Sequence, residues 1–117
     1  PISEYLDVIQ SLGPLCGKQE LRHVLQTHTG SGVTMVHFLL EPGDEKSADG
    51  VVSVAGKLLE KCQSISGNLV VERASARMKE RLPVWGMPPQ DLFIMKRIKE
   101  RMDPSGLFSP GRFVGGI

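Results

Sequence analysis

The amino-acid sequence predicts a small α+β domain in which helices pack against a short β-sheet. Its 117 residues suffice for one modest domain and not for two. Several segments repeat apolar residues at the three- and four-residue spacing of an amphipathic helix. Residues 33–40 are instead largely apolar on both faces of an extended chain, as in a strand that is covered on both sides. We therefore expect a ferredoxin-like layer with a β-α-β core.

The overall composition is that of an ordinary globular protein. Hydrophobic residues make up 40% and charged residues 23% of the chain, which excludes the disordered and low-complexity classes. The formal net charge of +1 requires neither a strongly acidic nor a strongly basic partner. The longest apolar run, residues 33–40, is too short to span a bilayer.

The cysteines and the start of the chain bear on its cellular setting. Cys16 and Cys62 form no CxxC pair, which excludes a thiolate zinc site and a disulfide-stapled mini-protein. The chain starts at Pro1, and no signal-peptide pattern follows. We therefore expect an expression fragment or a processed chain. The expected location of the protein is the cytoplasm or the inner face of the membrane.

Two helices are predicted before the apolar strand. The first has Ser3 as its N-cap and ends at residues 13–14, which are Gly-Pro. The second covers residues 18–27 and ends in a glycine-rich turn at residues 30–32. The apolar positions that indicate these helices are Ile2, Tyr5, Leu6, Ile9 and Leu12 in the first, and Leu21, Val24 and Leu25 in the second.

A strand, a helix and a second strand are predicted for the centre of the chain. The strand at residues 33–40 ends at Pro42-Gly43, and the helix that follows runs from Asp44 or Ser47 to Cys62. Acidic residues at the start of this helix and lysines at its end match the helix dipole. Leu69–Arg73 is the expected second strand, which makes the helix a crossover connection.

The C-terminal third is expected to contain one or two helical turns at residues 75–82 and an irregular proline-rich segment at residues 83–89. A last helix then starts at Pro89 and ends at Asp103-Pro104, because the residue before a proline disfavours helical backbone. Its predicted buried side consists of Leu92, Met95, Ile98 and Met102. After a glycine turn, we expect Leu107 and Phe108 to anchor the tail beneath this helix.

No residue pattern identifies a catalytic centre. The three histidines, at positions 23, 28 and 37, share no metal-ligand spacing, so we expect no metal site. The P-loop, zinc-protease and serine-hydrolase motifs do not occur in the sequence. The basic residues between Lys96 and Arg101 fit the solvated face of a helix and do not alternate with aromatic residues, so nucleic acid is not an expected partner.

The C-terminal segment carries a more specific pattern. A basic helix is followed by DPSGLFSPGR at residues 103–112. This run resembles the closing signature of FAD-linked oxidases of the vanillyl-alcohol-oxidase type, in which asparagine commonly stands at the position of Ser109. The segments GNLVVERAS at residues 67–75 and PVWG at residues 83–86, together with the GRFVGGI tail, are most similar to the glycolate oxidase E-subunit family.

The resemblance implies that residues 1–117 form a single domain, the C-terminal cap-domain fragment of a longer flavoprotein subunit. This cap would cover the flavin and the substrate site of an FAD-dependent 2-hydroxy-acid (glycolate) oxidase or dehydrogenase, and it would be inactive alone. FAD would be bound in the full-length protein and not by this fragment. The expected partners are the flavin-binding N-terminal domain of the same subunit and other glycolate oxidase subunits. The cofactor-binding role falls on Ser109, Pro110, Gly111 and Arg112, and no catalytic residue is assigned.

The alternative is a free-standing ferredoxin-like module that senses a ligand or binds a protein partner. A β-α-β core and a nearly neutral charge would suit such a module, but it leaves the proline-rich segment and the elaborate tail unexplained. Residues 33–40 also present more apolar sheet surface than a chain of this length can cover. We therefore expect the fragment to form a homodimer.

Overall fold

The computed structural model describes residues 2–117, with side chains from Glu4 onward. In these residues, four α-helices and one two-stranded antiparallel sheet follow each other in the order α1, β1, β2, α2, α3, α4, which confirms the predicted α+β class. The predicted roles of Ile2 and Ser3 lie outside the residues whose side chains are described. The bounds are Ile2–Gly17 (α1), Arg22–His28 (β1), Val33–Leu39 (β2), Glu45–Ser64 (α2), Ala76–Lys79 (α3) and Leu92–Met102 (α4), with short 3-10 turns at Thr29–Ser31 and Val114–Gly116.

The strands β1 and β2 form an antiparallel hairpin, so the predicted helix over residues 18–27 is wrong. They pair along their full length, from Arg22 opposite Leu39 to His28 opposite Val33. Gly32 closes the loop between them with a φ of 65°, a left-handed conformation that glycine adopts without strain. Pairing with the apolar strand β2 satisfies the main chain of β1, and this pairing outweighs the helical spacing of three apolar side chains.

Helix α1 continues through Pro14 to Gly17, so the predicted end at Gly13-Pro14 is wrong. A proline inside a helix removes one main-chain hydrogen bond. The continuation brings Cys16 into the core one turn after Leu12, and these two side chains are only 1% and 2% exposed. Burial on both sides of Pro14 therefore stabilises the helix across the proline.

Helix α2 confirms the predicted central helix and supplies half of the core. Asp44 caps it, since its Oδ1 accepts a hydrogen bond from Ser47 N at 3.0 Å. The sheet contributes Val36 and Phe38 of β2, which pack against the core from the other side. One small core thus joins α1, α2 and one face of the hairpin. Its buried members are Leu12, Cys16, Leu21, Val51, Val54 and Leu58.

The opposite face of the hairpin is uncovered. Val24, Val33 and Leu39 lie on this face and are 51%, 47% and 48% exposed. Strand β2 is therefore covered on one face and not on both. This exposure confirms the prediction that a single chain does not cover its sheet completely.

Residues 69–73 do not form a strand, so the predicted β-α-β core is wrong. Val71 N instead donates a hydrogen bond at 2.8 Å to Val84 O in the irregular segment. A crossover helix needs a second strand beside the first. Here β2 pairs with β1, its neighbour along the chain, and residues 69–73 lie along the proline-rich segment.

Helix α3 confirms the predicted helical turns near residues 75–82, and α4 confirms the last helix. Its predicted start at Pro89 is wrong, because residues 90–91 form a turn, closed by the hydrogen bond from Leu92 N to Pro89 O, and the helix starts at Leu92. The predicted buried side of α4 is wrong, because none of its residues is buried and Ile98 and Met102 are 58% and 77% exposed. The radius of gyration is 16.2 Å, compared with about 13 Å for a compact chain of this length. The helices of residues 2–117 include none with the length and apolar character needed to cross a membrane.

Candidate functional site

The segment that follows α4 is built around one buried carboxylate, that of Asp103. Its Oδ1 accepts a hydrogen bond from Leu107 N at 2.8 Å, and its Oδ2 accepts one from Phe108 N at 2.9 Å. Lys99, one helical turn earlier, donates from Nζ to both Asp103 Oδ2 and Phe108 O. We call Asp103, Lys99 and the main chain of Leu107 and Phe108 the Asp103 clasp. The clasp fixes the path of residues 103–108 against the end of α4.

The same contacts set the charge of the clasp. The hydrogen bond from Lys99 and the main-chain N–H groups of Phe108 and Leu107 lower the pKa of Asp103 to about 2. The side chain of Asp103 is only 5% exposed, yet it is ionised at neutral pH because these donors stabilise its negative charge. The clasp is therefore a charge-assisted structure rather than a hydrophobic one.

The clasp leaves Leu107 and Phe108 in solvent. These side chains are 77% and 71% exposed, so the prediction that they anchor the tail in the hydrophobic layer is wrong. Main-chain hydrogen bonds to Asp103 fix the path of the tail. These bonds require no burial of the apolar side chains. Leu107 and Phe108 are consequently displayed on the outside of the molecule.

The next turn, Ser109–Arg112, contains all four residues predicted to bind a cofactor. Arg112 N donates a hydrogen bond to Ser109 O at 3.2 Å, and both Ser109 and Gly111 have positive φ, of 46° and 72°. A Cβ atom placed on Gly111 would meet no atom within 4 Å. The outer side of the turn is therefore open to another molecule.

An open, mostly apolar groove of about 490 Å³ runs along α4 beside this turn. Two of the predicted site residues, Ser109 and Arg112, contribute to its wall, whereas Pro110 and Gly111 form the exposed tip of the turn. We call this surface the α4 groove. Its lining residues are Met95, Ile98, Lys99, Met102, Phe108, Ser109, Arg112, Phe113 and Ile117.

Trp85 holds the far end of the turn. Its Nε1 donates a hydrogen bond to Arg112 O at 3.3 Å, and its ring packs edge-to-face against Phe113 with 5.2 Å between the ring centroids. Beyond Phe113 the chain returns to α4. Val114 is buried there, and Gly115 lies so close to Leu92 that an added Cβ would stand 2.5 Å from its Cδ2.

The comparisons with known proteins decide the family. The model of the C-terminal domain of FAD linked oxidases matches residues 1–113. This range includes the Asp103 clasp, the Ser109–Arg112 turn and all of the α4 groove except Ile117. The chain belongs to this family. Membership of this family implies FAD as the cofactor of the full-length oxidase. No curated protein and no solved structure matches the chain significantly.

The side chains around the α4 groove suit contact with one edge of FAD. Phe108, Phe113 and Ile98 offer the flat and aliphatic surface that a planar ring system needs. Ser109 offers a hydroxyl, and Arg112 offers a planar cation for a polar or anionic group. The guanidinium of Arg112 forms no ion pair within the part of the chain that the structure describes. The donor set of the FAD-linked oxidase domain thus fits the cofactor.

Sequence reasoning missed three residues that shape this site. Lys99 and Asp103 stand four residues apart at the end of a helix, which is a spacing at which opposite charges meet, and this signal could have identified the pair. Trp85 carried a weaker signal, since it is the single tryptophan of the chain and lies in a proline-rich segment. Its contact with Arg112, 27 residues further along the chain, depends on the fold and not on local spacing.

The remaining reactive side chains lie away from the groove. Burial raises the pKa of the Cys16 thiol and of the Cys62 thiol, and both cysteines are free. Among the described residues, no group of three or more His, Cys, Asp or Glu side chains is arranged to hold a metal ion.

Proposed function

We propose that this chain is the cap-domain part of an FAD-dependent 2-hydroxy-acid (glycolate) oxidase or dehydrogenase subunit, where it covers the flavin and the substrate site. The observation that carries the proposal is the α4 groove. It places an exposed apolar surface directly beside the Ser109–Arg112 turn, in a chain of the FAD-linked oxidase family. Residues 1–117 are proposed to act as one domain of a longer subunit.

The exposure of the groove supports a second domain as its partner. Ile98, Phe108 and Phe113 are each more than half exposed and line the same groove. Contiguous apolar surface of this kind on a soluble protein marks an interaction site. We propose that the flavin-binding domain of the same subunit covers it and that Ser109, Pro110, Gly111 and Arg112 then contact the cofactor.

The proposed substrate class rests on sequence likeness. Residues 67–75 and 83–86 resemble the glycolate oxidase E-subunit family, whose substrate is a 2-hydroxy acid. When bound, FAD supplies the electron-accepting chemistry. The role of this chain would be to exclude water, to cover the ring and to orient anionic groups. We also propose that it is inactive alone, assembles with other glycolate oxidase subunits, and works in the cytoplasm or at the inner face of the membrane.

The experiment compares two arginine variants of the complete oxidase subunit. Arg112→Ala should lower the amount of FAD retained after gel filtration, whereas Arg73→Ala, which removes an exposed arginine away from the groove, should not. In parallel, the 117-residue chain with added FAD should not reduce an electron-accepting dye with glycolate. Equal FAD retention in the two variants, or dye reduction by the chain alone, would contradict the proposal.

A free-standing ferredoxin-like module loses its main support, because the β-α-β core that favoured it does not exist among the described residues.

The uncovered face of the hairpin supports the proposal that isolated copies of this chain pair as homodimers. That face lies on the hairpin and the α4 groove lies on α4, so the two surfaces can be tested separately.

A further inference from the structure

The Ser109–Arg112 turn is held at both of its ends by residues from different parts of the chain. At the upstream end, the Asp103 clasp fixes the main chain of Phe108. At the downstream end, the Trp85 indole donates to Arg112 O, and its ring packs against Phe113. Trp85 is 39% exposed, so burial alone does not account for its place in the fold.

Trp85 is itself held from a third part of the chain. Asn68 donates from Nδ2 to Trp85 O at 3.1 Å and accepts at Oδ1 from Met87 N at 3.0 Å. Between these two bonds lies Gly86, with a φ of 66°, where an added Cβ would stand 1.9 Å from Asn68 Oδ1 and 2.4 Å from Leu69 O. The close approach of Asn68 thus requires glycine at residue 86 and fixes the main chain from which the indole projects.

We propose that Trp85 is a positioning residue that sets where the Ser109–Arg112 turn meets the cofactor. This inference rests on the proposed function, since it takes the turn to face FAD. The two contacts of Trp85 have separable roles: the ring holds Phe113, and the indole N–H fixes the carbonyl of Arg112. The N–H contact is the one that orients the turn, because it acts on the main chain of a predicted cofactor-binding residue.

The variant Trp85→Phe separates these two contacts. Phenylalanine keeps a ring against Phe113 but has no N–H to donate to Arg112 O. The apoprotein of the complete oxidase subunit is titrated with FAD, and binding is followed by flavin fluorescence. Trp85→Phe should raise the dissociation constant for FAD at least about twofold and at most about tenfold, because the free energy of one neutral hydrogen bond limits what positioning of the turn can contribute to binding. Its melting temperature should stay within a few degrees of the parent.

The matched control removes one aromatic hydrogen-bond donor elsewhere. The Tyr5 hydroxyl is hydrogen bonded to the Thr34 hydroxyl, which links α1 to β2 far from the turn. Tyr5→Phe should therefore leave the affinity for FAD unchanged. Hydrogen exchange provides a readout that does not depend on flavin. In the apoprotein, the Arg112 amide, which donates to Ser109 O, should exchange faster in Trp85→Phe than in the parent or in Tyr5→Phe.

The outcomes distinguish this inference from the function on which it rests. If Arg112→Ala weakens FAD binding and Trp85→Phe does not, the positioning role is overturned and the proposed function stands. If Arg112→Ala leaves FAD binding unchanged, the proposed function fails, and the positioning role fails with it. Unchanged exchange of the Arg112 amide in Trp85→Phe would likewise overturn the positioning role.

Discussion

The Asp103 carboxylate fixes the main-chain path of residues 103–108, a segment in which every residue after Asp103 is exposed. The residues after α4 place Leu107 and Phe108 in solvent, so hydrophobic burial cannot hold them in place. Two main-chain N–H groups and the Lys99 ammonium converge on the Asp103 carboxylate instead. A carboxylate can accept all of these bonds at once, which a neutral amide cannot do because one of its two ends is a donor.

The low pKa of Asp103 predicts how the clasp responds to acid. Because the pKa is about 2 in the folded protein and about 4 in an unfolded chain, the ionised form stabilises the fold above about pH 4, and this contribution is lost as the pH falls towards about 2. Asp103→Asn should be less stable than the parent at neutral pH. The difference between them should shrink between about pH 4 and pH 2.

Urea unfolding of parent and variant over this pH range measures that difference. Asp91→Asn serves as the control, because the Asp91 side chain makes no capping hydrogen bond at the start of α4. It should change the free energy of unfolding little at any pH. If the difference between the parent and the Asp103→Asn variant stays constant from neutral pH to about pH 2, the ionised carboxylate does not stabilise the clasp.

At the scale of elements, the apolar patterns predicted α2, α4 and β2, because each carries a strong local pattern, whereas α3 was expected only as one or two helical turns. They failed for β1, because Val24 and Leu25 are compatible with either a helix or a strand. The pairing with β2 selects the strand. The short glycine-containing loop between the two segments was the hairpin signal that could have corrected this. Periodicity also identified the apolar stripe of α4 correctly but could not show what covers it. The stripe is exposed within this chain, since α4 has no buried residue.

The packing of α1 on α2 predicts a sharp contrast between two apolar side chains. Leu12 is 2% exposed in the shared core, so Leu12→Ala should lower the free energy of unfolding by about 2–5 kcal/mol. Phe108→Ala should change it by less than about 0.5 kcal/mol, because the ring is 71% exposed. Chemical denaturation of the 117-residue chain provides the comparison. A large loss in Phe108→Ala would mean that the tail ring is buried in solution.

At the scale of the whole molecule, the radius of gyration of 16.2 Å and the two open apolar surfaces have a common cause. The core of buried side chains lies between α1, α2 and one face of the hairpin, while α4 and the tail extend away from it with no buried residue on α4. Both open surfaces are thus available to a second domain or a second copy of the chain, as the proposed cap-domain role requires.

Two lysine variants should therefore behave in opposite ways in two experiments. Val24 lies at the centre of the uncovered sheet face and Ile98 lies in the α4 groove, and they are 51% and 58% exposed. In sedimentation of the isolated chain at high micromolar concentration, the parent should form dimers. Val24→Lys should shift it to monomers because a charge is placed in the sheet contact, and Ile98→Lys should not.

In the complete oxidase subunit, Ile98→Lys should reduce the retained FAD because the groove can no longer seat the proposed flavin-binding domain, and Val24→Lys should not. Since both variants place one lysine on an exposed apolar site, each is the control for the other. Equal effects of the two variants in both experiments would show that the sheet face is not specific to dimer formation and the groove is not specific to FAD retention. A monomeric parent chain would exclude the sheet face as a dimer contact.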